Sequence, residues 1–146
     1  MAEQLTDEEL QRLVAQHNAY QARAQAVAEQ IEAIQLSIFE CEHASNTVDA
    51  LKDLDDVESF VPIGAGSFIH AKITKSDRAI INLGAGVAAE MSADAAKDRL
   101  VDRKEKLTKI LEEMNITLED LVKKVQAIQI EADRQMQERK ADQAYI

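Results

Sequence analysis

Apolar side chains recur at alternating spacings of three and four residues along most of the chain, which is the pattern of a helix that packs along one stripe. In the first third of the chain the stripe consists of two interleaved sets of positions, each repeating every seven residues. One set is Leu10, His17, Ala24, Ile31, Ile38 and Ser45, and the other is Leu13, Tyr20, Val27, Ile34, Cys41 and Val48. No Gly or Pro interrupts this stretch, so we predict one coiled-coil helix over residues 6–55.

The last third of the chain carries a second heptad stripe. It consists of Leu100, Leu107, Leu111, Met114, Leu118, Leu121, Val125, Ile128 and Ala132. Ser92 is suited to cap the start of this helix, and Asp94 in the first turn favours the helix dipole. The β-branched residues within 115–117 are weaker helix formers, but the stripe passes through them without a change of phase. We therefore predict a continuous second helix over residues 92–146.

The two predicted helices need a partner, because neither can bury its long apolar stripe alone. Residues 57–91 lie between them, and a connection this short favours an antiparallel pair. Charge favours pairing of unlike helices, since residues 1–56 contain twelve acidic and three basic side chains whereas residues 92–146 contain twelve acidic and eleven basic ones. The predicted fold class is mainly α, a long antiparallel coiled-coil hairpin with a short central module.

Within residues 57–91 the apolar period changes to two, which is typical of strands. We predict four short strands over residues 59–63, 67–73, 79–83 and 87–91, with a polar turn at 75–78. All four glycines lie in two Gly-Ala-Gly tripeptides between these strands. Each tripeptide is expected at the tip of a β-hairpin, because glycine tolerates the positive φ of tight turns. Pro62 cannot donate a ladder hydrogen bond, which places its strand at a sheet edge.

Gly-Ala-Gly could alternatively cradle a nucleotide phosphate. The second copy, residues 84–86, fits the loose dinucleotide pattern G-x-G-x-x-A. That chemistry requires a helix starting at the glycines and a second strand ending in an acid about 20 residues later. The corresponding position, Lys104-Glu105, lies inside the predicted second helix instead. No Gly-Lys-Ser/Thr sequence is present, so we predict neither a P-loop nor any cofactor.

Other candidates for chemistry have simpler structural interpretations. Cys41 lies on the first seam and is expected to be a small buried apolar residue, whereas His43 points elsewhere, so the two do not form a metal pair. His17 is interpreted as a tolerated polar seam residue or as one paired across to the partner helix, and not as a switch. The acidic residues are too evenly spread to indicate a catalytic pair. We predict no catalytic residues and no metal ligands, and hence that the protein is not an enzyme.

Bulk composition narrows the possible partners and location. The net charge of −10 argues against nucleic acid and against anionic membranes, which both require clustered Lys and Arg. No apolar run has the roughly 18 residues of a membrane span, and the first twenty residues lack the features of a signal peptide. The single cysteine gives no reason to expect an oxidising compartment. We predict a cytoplasmic protein.

The predicted β module is too small to be stable by itself. Four short strands leave unpaired edges and a thin apolar face, and both helices are predicted to depart from it. We therefore predict that the module completes itself by pairing with other chains. The residues expected to form this oligomerisation surface are Val61, Pro62, Ile63, Gly64, Gly66, Phe68, Ile69, Ile73, Ile81, Leu83, Gly84 and Gly86.

This arrangement resembles the alpha subunits of the prefoldin family, also called GimC. The resemblance is carried by the sequence VPIGAGSF at residues 61–68, by residues 84–86 with Glu90, and by the order helix, two hairpins, helix. The small size and acidity are more similar to archaeal members. The resemblance implies a hexamer of two alpha-type and four beta-type subunits, with β-barrels formed from their hairpins. It also implies a chaperone that holds unfolded client proteins without ATP and delivers them to a cytosolic group II chaperonin.

Client proteins are expected to bind at the tip of the coiled coil, where both ends of the sequence meet. The second seam turns polar there, at Gln135, Arg139 and Asp142, so we predict that the tip frays. The apolar residues expected to hold clients are Leu5, Leu10, Leu13, Val14, Ile130, Met136, Tyr145 and Ile146. Exposed apolar groups and methionine suit varied partners, although scattered apolar residues are also normal on protein surfaces.

A structural role is the main alternative interpretation. A coiled-coil spacer or scaffold could oligomerise through the same hairpins without binding any client. In either case the chain divides into residues 1–56, the first coiled-coil helix; 57–91, the oligomerisation module; and 92–146, the second coiled-coil helix. Suppression of aggregation of a denatured protein would separate a chaperone from a scaffold.

Overall fold

The computed structural model describes residues 4–145, and their elements follow in the order helix, four strands, helix. They are α1 (Asp7–Leu51), β1 (Val57–Gly64), β2 (Ser67–Ile73), β3 (Arg78–Gly84), β4 (Val87–Ser92) and α2 (Ala93–Ala144). The predicted mainly α class with two β-hairpins is confirmed. The chain divides into two compact units: unit 1 contains Met1–Ile34 and Ile110–Ile146, and unit 2 contains Gln35–Lys109.

A capping box fixes the start of α1. The Glu9 amide donates to the Thr6 hydroxyl at 3.3 Å, and the Thr6 amide donates to the Glu9 carboxylate at 2.8 Å. These reciprocal bonds satisfy donors that the first helical turn leaves without partners. They also lower the pKa of Glu9, with the Thr6 backbone bond as the largest cause. The helix therefore begins at Asp7, directly after its cap.

The end of α1 comes at Leu51, earlier than the predicted residue 55. Acidic residues follow it at 53, 55 and 56, and negative charge at a helix C-terminus opposes the helix dipole. The Leu54 amide donates to the Leu51 carbonyl at 3.1 Å, and Asp56 adopts a left-handed φ of 47°. The chain leaves the helical path at this point, so β1 begins at Val57 and not at the predicted residue 59.

The start and continuity of α2 agree with the sequence pattern. The Ala95 amide donates to the Ser92 hydroxyl at 3.2 Å, which is the bond expected of an N-cap. The helix continues through residues 115–117. There the Thr117 hydroxyl donates to the Glu113 carbonyl at 3.0 Å, which gives this polar group a partner within the helix.

In unit 1 the first part of α1 runs antiparallel to the last part of α2. Arg139 pairs with Asp7 at 2.6 Å, and the Lys124 ammonium lies 5.5 Å from the centre of the Tyr20 ring. The earlier residue of α1 thus contacts the later residue of α2, as an antiparallel pair requires. All of the predicted seam residues, in both units, are buried or half-buried. The apolar stripes are therefore the surfaces through which the helices pack.

In unit 2 the later part of α1 runs antiparallel to the start of α2. Two acidic residues of α1 pair with lysines of α2, Glu42 with Lys104 at 3.3 Å and Asp49 with Lys97 at 2.9 Å. The predicted pairing of an acidic helix with a lysine-rich one is thus seen here. Pairs of this kind contribute only about 0–1 kcal/mol each, so the seam residues provide most of the stability. Among the buried apolar residues of this unit, Leu100 has the largest side chain, and it is 7% exposed.

The four strands form two separate antiparallel hairpins, called hairpin 1 (β1 with β2) and hairpin 2 (β3 with β4). In hairpin 1 the two loop residues, Ala65 and Gly66, have φ of 49° and 70°. In hairpin 2 the equivalent residues, Ala85 and Gly86, have φ of 52° and 76°. Two successive residues with positive φ form a type I′ turn, whose twist matches that of the flanking strands. The predicted hairpin tips are confirmed.

Candidate functional site

Large apolar side chains are exposed along both hairpins. Between 39% and 73% of each side chain is accessible in Phe60, Val61, Ile63, Phe68, Ile69, Ile80, Leu83 and Val87. So many exposed large apolar side chains on two short hairpins are unusual for a protein that works alone and are typical of surfaces that bind another protein. The hairpins are therefore the first candidate functional surface.

Strand register places apolar residues on both faces of hairpin 1. Val61 is paired with Ile69, and Pro62 with Phe68. Directly opposed residues share a face and neighbouring positions alternate, so these two pairs point in opposite directions. Near the tip both faces are exposed, whereas Ile73 at the base of β2 is half-buried. Hairpin 1 therefore offers an apolar tip on two sides.

Hairpin 2 is attached to α2 along one face. The Arg103 guanidinium donates to the Asn82 carbonyl at 2.9 Å, and Ile81 is half-buried on the same hairpin. A groove of about 550 Å³ remains between hairpin and helices, with Ile81 and Leu100 among its lining residues. Ile80, one residue earlier, lines the same groove and is 73% exposed. Hairpin 2 thus lies against the helices of its own unit and still leaves a large apolar side chain accessible.

Both hairpins have free strand edges. Each sheet contains only two strands, so every strand in the described part of the chain has one edge without a ladder partner. Pro62 lies at such an edge, where its missing amide hydrogen costs nothing. Two-stranded sheets are marginally stable in water, and free edges accept further strands. The free edges agree with one premise of the predicted incompleteness. The other premise, that both helices depart from the module, is wrong for hairpin 2, which α2 contacts through Arg103. Completion of the module by other chains stays a prediction.

The Gly-Ala-Gly tripeptides are turn elements and not phosphate cradles. Gly84 and Gly86 have φ of 95° and 76°, the left-handed conformations that a tight turn requires. The helix that follows begins at Ala93, beyond the end of β4, and therefore does not start at the glycines as a dinucleotide site requires.

The second candidate surface lies in unit 1, where three polar residues meet. Gln135 is 1% exposed, and its side-chain carbonyl accepts a hydrogen bond from the Leu5 amide at 3.1 Å. The Arg139 guanidinium donates to the Leu5 carbonyl at 2.6 Å, and the Gln4 amide group donates to the Asp142 carboxylate. The prediction that these positions fray is wrong for this structure. Each polar side chain has a partner across the helix pair, so burial does not leave it unsatisfied.

The predicted client-binding residues fall into three groups. Val14, Ile130, Met136 and Tyr145 are exposed, with accessible fractions of 47%, 70%, 52% and 93%. Leu5, Leu10 and Leu13 are half-buried, and the last two belong to the seam, so they are not free for a partner while the helices are paired. Ile146 lies outside the described residues.

The remaining candidate residues have structural roles. Cys41 is 6% exposed on the seam, and the His43 ring stacks on Phe39 at a centroid distance of 6.1 Å. The His17 ring lies 3.4 Å from the Asn18 side-chain oxygen. Among residues 4–145, no three His, Cys, Asp or Glu side chains are grouped so that they could hold a metal ion. No helix in this range is long and apolar enough to span a membrane.

Sequence reasoning missed two features of these surfaces. It gave no role to Arg103, because nothing in the local sequence shows that this side chain reaches a strand carbonyl. It also interpreted Gln135 and Arg139 as weak points of the seam, because their partner Leu5 is more than a hundred residues away in sequence. The sequence did contain one signal of this contact, since Gln135 lies at a seam position and the basic Arg139 follows one helical turn later.

Comparison with known proteins agrees with this architecture. The family model described as "Prefoldin subunit" matches residues 6–138. The prefoldin subunit alpha of Methanosarcina barkeri is 38% identical over 92% of this chain and 96% of its own. That of Methanosarcina mazei is 40% identical over 86% of this chain and 91% of its own.

Two solved structures are similar in fold. One is a filamentous PFD from Methanocaldococcus jannaschii, with a TM-score of 0.65 and 22% identity over 78% of this chain and 95% of that chain. The other is a prefoldin beta subunit from Thermococcus strain KS-1, with a TM-score of 0.61 and 18% identity over 90% of this chain and 96% of that chain.

Proposed function

Because the chain belongs to the prefoldin family, whose subunits are chaperones and not enzymes, we propose that it is an ATP-independent holdase subunit for unfolded proteins. Identities of 38% and 40% to prefoldin alpha subunits of two archaea support an alpha-type role of archaeal kind. The observation that carries the proposal is the presence of exposed large apolar side chains in both units. A subunit that assembles and also holds clients requires both kinds of surface.

Assembly is proposed to use the hairpins. In this proposal the free edges of hairpins 1 and 2 pair with hairpins of beta-type subunits, and two alpha-type chains combine with four beta-type chains. The exposed residues Val61, Phe68 and Ile69 support it, because their burial would contribute favourable free energy. A similar fold in a prefoldin beta subunit supports the presence of matching hairpins in the partner.

Client binding is proposed to use exposed apolar residues of unit 1. Val14, Ile130, Met136 and Tyr145 are candidates because they remain accessible while the helices are paired. Methionine in particular adapts to partners of different shape. Delivery of the client to a group II chaperonin in the cytoplasm is the further step that we propose from family membership.

The test is removal of the terminal segments. A chain lacking residues 1–10 and 136–146, co-expressed with a beta-type partner, should assemble as the full chain does when examined by native mass spectrometry. It should no longer suppress aggregation of a chemically denatured client protein. Loss of assembly, or unchanged suppression, would reject the assignment of client binding to this part of unit 1.

The same assay decides between a chaperone and a scaffold. A scaffold that oligomerises through its hairpins would form the assembly without suppressing aggregation, even as the full chain. The reference measurement is therefore client aggregation in the presence of an equimolar amount of the assembly that contains the full chain. The chaperone proposal requires that this assembly suppress aggregation.

A further inference from the structure

The backbone of residues 4–6 lies against α2 without being part of a helix. The capping box formed by Thr6 and Glu9 makes Asp7 the first helical residue, so the chain before it is free to follow a non-helical path. In the described structure this path leads to Gln135 and Arg139. The segment is thus a short non-helical peptide that side chains of α2 hold.

Side chains of α2 bind both polar groups of the Leu5 backbone. The Gln135 side-chain carbonyl accepts from the Leu5 amide at 3.1 Å, and the Arg139 guanidinium donates to the Leu5 carbonyl at 2.6 Å. Every residue except proline offers this amide and carbonyl, so these two bonds do not depend on sequence. The Leu5 side chain is half-buried beside them. We call Gln135 and Arg139 together the backbone clasp.

The clasp is a built site and not a chance surface contact. Gln135 is the largest fully buried side chain among the described residues, and its amide nitrogen donates to Glu131 at 3.2 Å. Arg134 in turn donates to Glu131 at 2.6 Å, which holds the carboxylate in place. These bonds leave the Gln135 carbonyl oxygen directed at the peptide. A buried polar group is stabilising only when its partners are present, and in this structure the partner of the Gln135 carbonyl is a peptide backbone amide.

We infer that the backbone clasp is a binding site for an extended apolar segment of an unfolded polypeptide, and that residues 4–6 occupy it as an intramolecular competitor. The inference rests on the proposed holdase function and names the chemistry of the ligand: one accessible backbone amide, its carbonyl and an apolar side chain. An unfolded chain offers this combination at most positions, whereas a folded protein has its backbone groups already paired.

The inference assigns Leu5 a different role from direct client contact. A covalently attached peptide competes at an effective concentration of the order of millimolar, so a client must displace residues 4–6 before it can use the clasp. Removing these residues should therefore strengthen binding. If Leu5 instead contacted clients directly, its removal would weaken binding, so the two roles predict effects of opposite sign.

The experiment measures binding of a fluorescein-labelled, C-terminally amidated peptide with the sequence of residues 2–6, Ala-Glu-Gln-Leu-Thr, by fluorescence anisotropy. The full chain is compared with a chain lacking residues 1–5, which keeps Thr6 as the cap. We expect the deletion to bind the peptide about tenfold or more tightly, since the internal competitor is gone. Circular dichroism checks that the helix content of both chains is the same.

A second peptide tests backbone recognition without any change to the protein. N-methylation of its leucine removes the amide donor that Gln135 accepts and leaves the side chain unchanged. On the deletion chain we expect the methylated peptide to bind about 2- to 13-fold more weakly, the equivalent of one hydrogen bond. With Gln135→Leu added, both peptides should bind alike, whereas the matched control Gln137→Leu, an exposed glutamine on the same helix, should preserve the difference.

Equal binding of the peptide to both chains, or equal binding of the two peptides to the deletion chain, would overturn the inference. The second comparison stands even if Gln135→Leu does not fold. The two proposals also fail separately. Suppression of client aggregation without the expected peptide binding would reject the clasp alone, and peptide binding without suppression would reject the holdase function alone.

Discussion

At each hairpin tip an alanine and a glycine adopt the left-handed conformation. Ala65 has φ of 49° and Gly66 has φ of 70°. The left-handed region costs a residue with a side chain about 1–2 kcal/mol, whereas glycine enters it freely. Alanine therefore carries some strain at the first loop position, where asparagine is favoured in a type I′ turn.

Substitution at the tip of hairpin 1 should change its local stability in a predictable direction. Gly66→Ala should reduce amide protection across residues 57–73 about fivefold to tenfold, the equivalent of about 1 kcal/mol. Ala65→Asn should leave this protection unchanged or raise it. Hydrogen exchange of the assembled complex, followed by mass spectrometry, measures both. Equal effects of the two substitutions would show that the turn conformation does not limit hairpin stability.

Asp49 should make helix pairing in unit 2 sensitive to acid. The hydrogen bond from Lys97, followed by the bond from Lys52, lowers the pKa of Asp49 below its ordinary value of 3.8. A carboxylate with a depressed pKa contributes stability that is fully present above 3.8 and is lost as the pH falls through the lower folded value. The urea midpoint should therefore differ between the full chain and Asp49→Asn at pH 6, and this difference should shrink as the pH falls below 3.8.

The matched control for this measurement is Glu105→Gln, at an exposed acid inside α2 that forms no ion pair among the described residues. It removes one negative charge without breaking an ion pair, so its midpoint should differ little from that of the unsubstituted chain at pH 6. The overall net charge of −10 also changes on acidification, and comparison of variants at each pH removes that common effect. A difference between Asp49→Asn and the unsubstituted chain that stays constant as the pH falls far below 3.8 would contradict the prediction.

Among the elements, the helices depend on the seam and not on the apolar residues outside it. Leu121 is 3% exposed and the adjacent Val122 is 41% exposed. Leu121→Ala should lower the free energy of unfolding by about 2 kcal/mol or more, because it removes buried methyl groups and leaves a cavity. Val122→Ala should change it by about 0.5 kcal/mol or less. Urea denaturation followed by circular dichroism at 222 nm measures both, and similar losses would contradict the seam assignment.

The sequence was sufficient for most of the elements because they depend on local periodicity. The heptad stripes predicted both helices, and the change to period two together with Gly-Ala-Gly predicted both hairpins. The end of α1 was misplaced because no Gly or Pro marks it, while the acids near residues 53–56 and the left-handed Asp56 end the helix. Periodicity reports which face can be buried, and it does not report where the backbone stops being helical.

The candidate surfaces were less predictable because exposure is a property of the folded pair. Leu10 and Leu13 were proposed for client binding although their heptad positions already assigned them to the seam, and the structure shows them half-buried. Gln135 was expected to open the helix pair, yet it is satisfied by the distant Leu5 backbone. Contacts between residues far apart in sequence leave no signal in a single local pattern.

For the molecule as a whole, assembly and client binding are proposed to use different residues. The apolar residues of the hairpins belong to unit 2, whereas the backbone clasp and Met136 belong to unit 1. Substitutions in the hairpins should therefore weaken assembly and leave client binding measurable, and substitutions in the clasp should do the reverse. This separation makes it possible to test the hairpins without disturbing the residues proposed to hold clients.

The strongest test of assembly uses a cross-strand pair that can be made more polar while β-branching is kept. Val61 and Ile69 are directly opposed in hairpin 1 and 43% and 51% exposed. Changing both to threonine preserves β-branching and strand propensity but removes apolar surface that a partner would bury. Each apolar carbon lost corresponds to about 0.8 kcal/mol of burial, so the affinity for a beta-type partner should fall about tenfold or more.

The control is a charged opposed pair on the same hairpin, Glu58 and Lys72, also changed to threonine. This variant also changes two opposed strand residues to threonine, but it removes no large apolar side chain. Assembly measured by native mass spectrometry should therefore persist. Both variants should retain the helix content of the unsubstituted chain, because neither touches the seam. If the Val61/Ile69 variant assembled with undiminished affinity, hairpin 1 would not be the surface that joins the subunits, and the free strand edges of hairpin 2 would have to provide it.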